Sequence, residues 1–421
     1  MSLNLRAGLI QVCLIFLFAL TLPACHKDAG PAISKPLDLP ANSPQVISAE
    51  NTFAINIFRT MQQSDPEGSN TLISPLSIYT ALSMAYNGAA GATRDSMTQT
   101  LALAGVPLDL LNTVSKALIE QMPHEDNKVQ LSIANSLWYD KSRATPNAGF
   151  IDTVGRDYEA VIQSLDFSNP SSISTINSWV SQHTNNKIPT IINGLNADDL
   201  MVLINAIYFN GSWKYAFKAS DTHNDNFYRT DGSTANLPFM TQTATFRSYH
   251  NQNFTMIGLP YGTGSAFEMY ALLPTDPHQS LNSFVTSLDN NILNTAITQI
   301  DSDRLTISLP KWEYSYAIPD LIGPLSRLGM GLTFHPGADL TNMYPPSAGA
   351  YISKVIHKTY IKVNEAGTEA AAVTGAVVTG LTSAPPNYHV VKLDHPFVYL
   401  ITEKQTGAIL FMGKLNDPGK N

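Results

Sequence analysis

"VNEAGTEAAAVTGAVVTGLTSAPP", residues 363–386, lies close to the C-terminal end of a chain otherwise patterned like a globular protein. No charge follows Glu369, most side chains are small, and glycine recurs at 375 and 380. The segment is too polar and glycine-rich for a membrane helix, and glycine and β-branched residues weaken it as an ordinary helix. Read as a strand, it places Thr368, Ala370, Ala372, Thr374, Ala376 and Val378 on one face, all small and uncharged. The other face takes Glu369, Ala371, Val373, Gly375, Val377 and Thr379, so the only charge falls where a strand can stay wet. Such a segment can live as an exposed loop and can also enter a sheet at little steric cost. On pattern alone, a small-residue linker before the last hairpin is the other reading.

Working outward, "YISKVIHKTYIKVNE" alternates, with Val355, His357, Thr359, Ile361 and Val363 on one face. A lone histidine on an apolar strand face is usually a satisfied core residue, and His357 then needs a partner. Asn205 has the same need, in the middle of a near-continuous apolar run at 201–209 that fits a strand covered on both faces. In "NTLISPLSIYTALSMAYNGA", Ser74 followed by Pro75 reads as an N-cap and first helical residue, with Ser77 and Ser83 inside an otherwise apolar helix. "VQLSIANSLWYD" reads as a strand, and "SSISTINSWVSQHTNNKIP" as a helix ending before Pro189. "FTMIGLPY" and "FEMYALLP" form a hairpin around "GTGS", and "HPFVYLITEK" and "GAILFMGKL" a second one. Early helices and later antiparallel strands indicate an α+β fold.

The chain has 421 residues, 44% hydrophobic and 14% charged, enough for a sizeable core. Its net charge of −8, without a dense run of Lys and Arg, argues against nucleic acid as a partner. Cys13 lies within the apolar "LIQVCLIFLFALTL" after Arg6, so residues 1–24 read as a signal peptide. Cys25 closes "LPAC", which resembles a bacterial lipobox and makes Cys25 the lipid-modified first residue. An ordinary cut near Ala24 is the alternative. The protein is then exported and either lipid-anchored to the bacterial envelope or secreted and periplasmic. Prolines 31, 36, 40 and 44 mark residues 25–47 as a linker, and the folded part begins near Ser48. The mature domain has no cysteine pair for a disulfide and no cysteine-based zinc site.

Enzyme signatures are scarce. There is no G-x-S-x-G elbow, no H-E-x-x-H and no Walker loop, and "GTGSAF" lacks the last glycine of a dinucleotide fingerprint. "DSDR" at 301–304 puts two carboxylates near each other on a loop before a strand, where solvated charge is the default.

"NEAGTEAAAVTG" at 364–375 closely resembles the reactive-loop hinge of the serpins, the serine protease inhibitor family. "VKLDHPFVYLI" at 391–401 is similar to the family's C-terminal signature, and "GAILFMGKLNDP" to its sequel. "NTLISPLSIYTALSMAYNGA", "INAIYFNGSWKYAF", "HPGADLTNM" and "KVIHKTYIKVNE" also fit in order, so the resemblance covers roughly residues 48–418.

The resemblance implies a single domain of three β-sheets and about nine helices with an exposed reactive-centre loop. Ser74, Ser77, Asn205 and His357 would form the shutter, a polar cluster in which Asn205 and His357 satisfy each other, and Trp213 would mark the breach. Glu365, Gly367, Thr368, Glu369, Ala370, Ala371 and Ala372 would be the hinge. The implied activity is suicide inhibition by a monomer that is not an enzyme and needs no cofactor or metal. A target serine protease forms a covalent acyl-enzyme, and the cut loop inserts into the central sheet. Family spacing counted from Glu365 places the scissile bond between Leu381 and Thr382; the bonds after Thr382 and after Thr379 are the other options. Leu381 would select chymotrypsin-, elastase- or subtilisin-like proteases with a hydrophobic primary pocket. A non-inhibitory binding or carrier protein is the alternative within the family.

Overall fold

Apolar residues at helical spacing open the folded chain, in a computed structural model that describes residues 35–196, 199–369 and 388–420. The elements begin with α1 (Ser43–Gln62), β1 (Thr71–Ile73), α2 (Pro75–Gly88), α3 (Gly91–Thr100) and α4 (Leu108–Gln121). There follow β2 (Val129–Tyr139), α5 (Ala148–Asp157), β3 (Val161–Ser164), α6 (Ser171–His183), β4 (Met201–Ser212), β5 (Thr222–Tyr228) and β6 (Thr234–His250). Next are β7 (Phe254–Tyr261), β8 (Phe267–Pro274), α7 (Leu281–Ser287), α8 (Asn290–Thr298), β9 (Asp301–Pro310), β10 (Trp312–Ile318) and α9 (Ile322–Leu325). The last are β11 (His357–Asn364), β12 (Gly367–Thr368), β13 (Val390–Lys392), β14 (Phe397–Glu403) and β15 (Ile409–Leu415). Among the described residues no helix is long and apolar enough to cross a membrane.

The strands pair into two networks. A six-stranded sheet runs β10-β11-β12-β4-β2-β3, and a nine-stranded one β1-β15-β14-β8-β7-β6-β9-β13 with β5 added on β6. The resemblance implies three sheets, and the larger network contains two of them. The 17-residue β6 pairs with β5 and β9 along most of its length and with β7 only at its end, so one strand joins two layers. The hairpin of β14 and β15 is buried at all seven positions of each strand and carries the main core. Gly413 is obligatory there, because a Cβ would come within 2.3 Å of the Tyr399 ring.

β4 explains its unbroken apolar run. Ile207 and Phe209 enter the main core, while Val202, Ile204 and Ala206 join a smaller cluster with Trp138, Ile176 and Val180 beneath α6. Both faces are covered, as the sequence implies.

Three expectations shift. α1 starts at Ser43 and Leu37 is buried, so the ordered chain reaches further back than Ser48, because Pro44 is tolerated in a helix's first turn. Residues 301–304 lie on β9 rather than on a loop, since pairing with 245–248 of β6 extends the strand through exposed charges. β11 starts at His357, leaving Val355 outside the strand. Cys25, with all of residues 1–34, lies outside the described residues, as do Ala370, Ala371, Ala372, Leu381 and Thr382.

Glu50, on α1, is 1% exposed and its Oε1 has no hydrogen-bond partner. Burial pushes its carboxyl up to about 8, so the folded chain keeps a proton that the unfolded chain releases near 4.5. Stability from this group is therefore full below that value and falls as pH rises towards 8, by about 1.4 kcal/mol per pH unit. Urea unfolding of Glu50→Gln should show a shallower loss between pH 5 and 8 than the unchanged chain. Equal slopes would contradict this account.

Candidate functional site

Of the residues flagged in the sequence, those on β4, β11 and β12 lie in the six-stranded sheet, and Ser74 and Ser77 come from α2. β11 ends at Asn364, and the chain reverses through Glu365 and Ala366 into β12. Asn364 Oδ1 caps the reversal by accepting the Ala366 and Gly367 N–H groups at 2.9 and 3.3 Å. β12 pairs antiparallel with β11 on one side (Val363 with Thr368) and with β4 on the other (Gly211 with Thr368). Among the described residues, β11 and β4 are linked in the sheet only through these two residues. A strand that continued β12 would therefore have an antiparallel partner on both edges.

The region around β12 is closely packed. A Cβ on Gly367 would lie 2.0 Å from the Gly211 carbonyl oxygen, so no larger residue permits this approach. Trp213 donates its backbone N–H to Ala366 O and its indole N–H to Asn364 O, both at 2.9 Å. Its ring stacks on Tyr261, with centroids 4.4 Å apart, and the Tyr261 hydroxyl meets Thr368 Oγ1 at 2.5 Å. Thr368 is thus fully buried although its neighbours belong to a segment that reads as a loop.

Two ion pairs flank the reversal. Lys311 Nζ lies 3.0 Å from Glu365 Oε2, and Thr222 Oγ1 donates to Glu365 Oε1 at 3.0 Å. Burial pushes the Glu365 carboxyl up, but its hydrogen bonds and Lys311 leave it below the usual range. Lys187, beyond α6, reaches Glu369 Oε1 at 2.7 Å. There burial outweighs the lysine, and the Glu369 carboxyl is held above its ordinary value.

Below lies the polar cluster. Ser74 caps α2, its Oγ accepting Ser77 N–H at 3.3 Å and donating to Leu410 O at 2.7 Å. Its own N–H donates to His357 Nε2 at 2.9 Å, so the ring is neutral with its proton on Nδ1. Ser77 Oγ points to Asn205 O at 3.5 Å. The expected bond between Asn205 and His357 is not found. Asn205 Nδ2 donates instead to Asn135 Oδ1 at 2.6 Å, and Asn205 Oδ1 is buried without a partner. The reason is topological: His357 is on β11 and Asn205 on β4, strands that do not pair directly.

The structure therefore brings together Ser74, Ser77, Asn205 and His357 in one cluster, and Trp213, Glu365, Gly367, Thr368 and Glu369 in another. Tyr261, Lys187, Lys311, Thr222 and Asn135 were not legible as site residues. Each is an ordinary strand or loop residue whose role exists only through a long-range contact.

A serpin family profile, described as serine protease inhibitor, matches residues 48–418. Serpin-Z10 of Arabidopsis thaliana is 33% identical over 89% of this chain and 98% of its own. Among solved structures, the native state of the thermophilic serpin tengpin superposes with a TM-score of 0.82 at 30% identity, covering 91% of this chain and 97% of that one. Human thyroxine-binding globulin, complexed with thyroxine, superposes with a TM-score of 0.80 at 28% identity, covering 89% and 99%.

Burial pushes His357 down to about 3, whereas the unfolded ring titrates near 6.5. The stability it contributes is full above 6.5 and is lost as pH falls towards 3, by about 1.4 kcal/mol per unit. Between pH 6.5 and 4, His357→Gln should lose less stability in urea titrations than the unchanged chain. A variant that tracks the parent across this window would refute the buried neutral ring.

Proposed function

Because the chain belongs to the serpin family, we propose that it is an inhibitory member that traps serine proteases with a hydrophobic primary pocket. The protease serine attacks the Leu381 carbonyl, Thr382 leaves as the new amino terminus, and the loop remains esterified to the enzyme. The freed strand then extends β12 down the sheet and draws the protease with it. From Thr368 to Leu381 is 14 residues, or about 45 Å of strand at about 3.3 Å each. That travel distorts the protease's oxyanion hole, and without it the ester is not hydrolysed. Insertion of this kind is an established case of strand addition and of released strain in the family.

One observation carries the reading: β12 is a two-residue strand paired on both edges, at the head of two longer strands. Its register supports it further. Six residues on from Thr368, Thr374 would face Asn205 on β4 and His357 on β11, counting back six from Gly211 and Val363. The Thr374 hydroxyl could then donate to Asn205 Oδ1, the buried acceptor that lacks a partner. The small uncharged face of 368–378 would lie on the core side, where Thr368 already is.

Incubation with a chymotrypsin-like protease should yield a complex that survives denaturing electrophoresis, and mass spectrometry under denaturing conditions should find a C-terminal fragment beginning at Thr382. Thr368→Arg, which would bury a charge against Tyr261, should convert inhibitor into substrate and lower the complex yield more than about tenfold. Cleavage without complex in the unchanged chain would overturn inhibition and favour a carrier role.

A further inference from the structure

At the end far from β12, the chains leading into β4 and β11 are bridged by one carboxylate. Asp199 stands two residues ahead of β4, and Ser353 and Lys354 lie just ahead of β11. Ser353 Oγ donates to Asp199 Oδ1 at 2.7 Å, and Lys354 Nζ reaches Asp199 Oδ2 at 3.3 Å. The same Oδ2 accepts Asn196 N–H at 2.8 Å, which fixes the carboxylate in its own loop. The Asp199 side chain is 3% exposed, so its bonds are shielded from the water that weakens surface ion pairs. Beside the bridge lies a cleft lined by Leu200, Met201, Leu203, Tyr344, Ile352 and Lys354. Met201 and Leu203 share the face on which Ile207 and Phe209 enter the main core, yet both are only half-buried. A neighbouring strand would cover them.

The register of β12 says what would have to pass this point. Thr368 stands opposite Gly211 on β4 and Val363 on β11. Counted on from there, Val377 would face Lys354, Val378 would face Ser353 and Met201, and Gly380 would face Asp199. Residues up to Ala376 could therefore enter with the bridge intact, whereas those from Val377 to Leu381 could not. With a strand between them, the two sides stand two strand spacings apart, about 9.6 Å. Serine and aspartate side chains are too short to hydrogen-bond across it.

We infer that Asp199 is a positioning residue for loop insertion. Its bonds to Ser353 and Lys354 hold the far end of the sheet shut at rest and must break before residues 377–381 can enter. This rests on the insertion proposed above. Residues 377–381 carry about 16 Å of the travel, at about 3.3 Å each. A strand stopped at the bridge leaves the protease short of its final position, so the bridge sets how fast trapping is completed. Because its bonds exist only before full insertion, they stabilise the intact chain and not the cut one.

Urea unfolding at timed intervals after a single cut between residues 379 and 383 reads insertion whether or not the protease is trapped. Asp199→Ala should reach the urea-resistant form more than about tenfold sooner than the parent chain, through loss of hydrogen bonds to a charged group. Ser353→Ala, which leaves Asn196 capped, should accelerate conversion in the same direction but less. Both variants should lower the urea midpoint of the intact chain and leave that of the converted chain where the parent has it. Equal losses before and after the cut would make the bridge an ordinary structural contact and overturn the proposal, as would rates equal to the parent's. A parent chain that gains no resistance after the cut would overturn insertion and the bridge with it. Accelerated variants without any protease complex would support the bridge and overturn inhibition alone.

Discussion

The rest of the structure depends on the double pairing of Thr368. β12 pairs with both neighbouring strands, Thr368 standing opposite Val363 on one side and Gly211 on the other, with its side chain buried against the Tyr261 hydroxyl. This fixes the antiparallel direction and register with which anything following Glu369 would enter the sheet. It also explains why Gly367 has no side chain, since its neighbour is the Gly211 carbonyl at a distance only a bare backbone allows. Trp213 and Tyr261 form the lid over this point, and Asn364 turns the chain into it.

A second constraint follows from the first. Among the described residues β11 and β4 are not paired with each other, and His357 and Asn205 each find another partner. His357 solves this through Ser74, whose N–H it accepts. Asn205 solves it only in part, through Asn135, and is left with one buried acceptor. Such an atom costs about 1–3 kcal/mol when unpaired. Under the proposed insertion, a strand carrying a hydroxyl at Thr374 would offset that cost.

Much of this was legible from residues. Ser74 and Pro75 announce their helix because capping is local chemistry. The final hairpin is legible because it is buried at every position. The small uncharged face at 368–378 is legible because strand alternation is strict. What escaped is long-range. β5 and β6 are half-exposed strands with mixed polar faces, so no hydrophobic period marks them. Tyr261 looks like the last residue of a hairpin strand until Trp213 is laid on its ring. The Asn205 and His357 pairing was expected from two similar needs, but need does not determine adjacency; strand order does.

The central claim is that the segment after Thr368 becomes a strand between β11 and β4 once it is cut. The most direct measurement is the melting temperature of the chain before and after a single cleavage between residues 379 and 383. A strand that gains two ladders of backbone hydrogen bonds should move the transition clearly upward, and Thr374→Val should reduce the gain. A cleaved chain that melts where the intact chain does would contradict insertion.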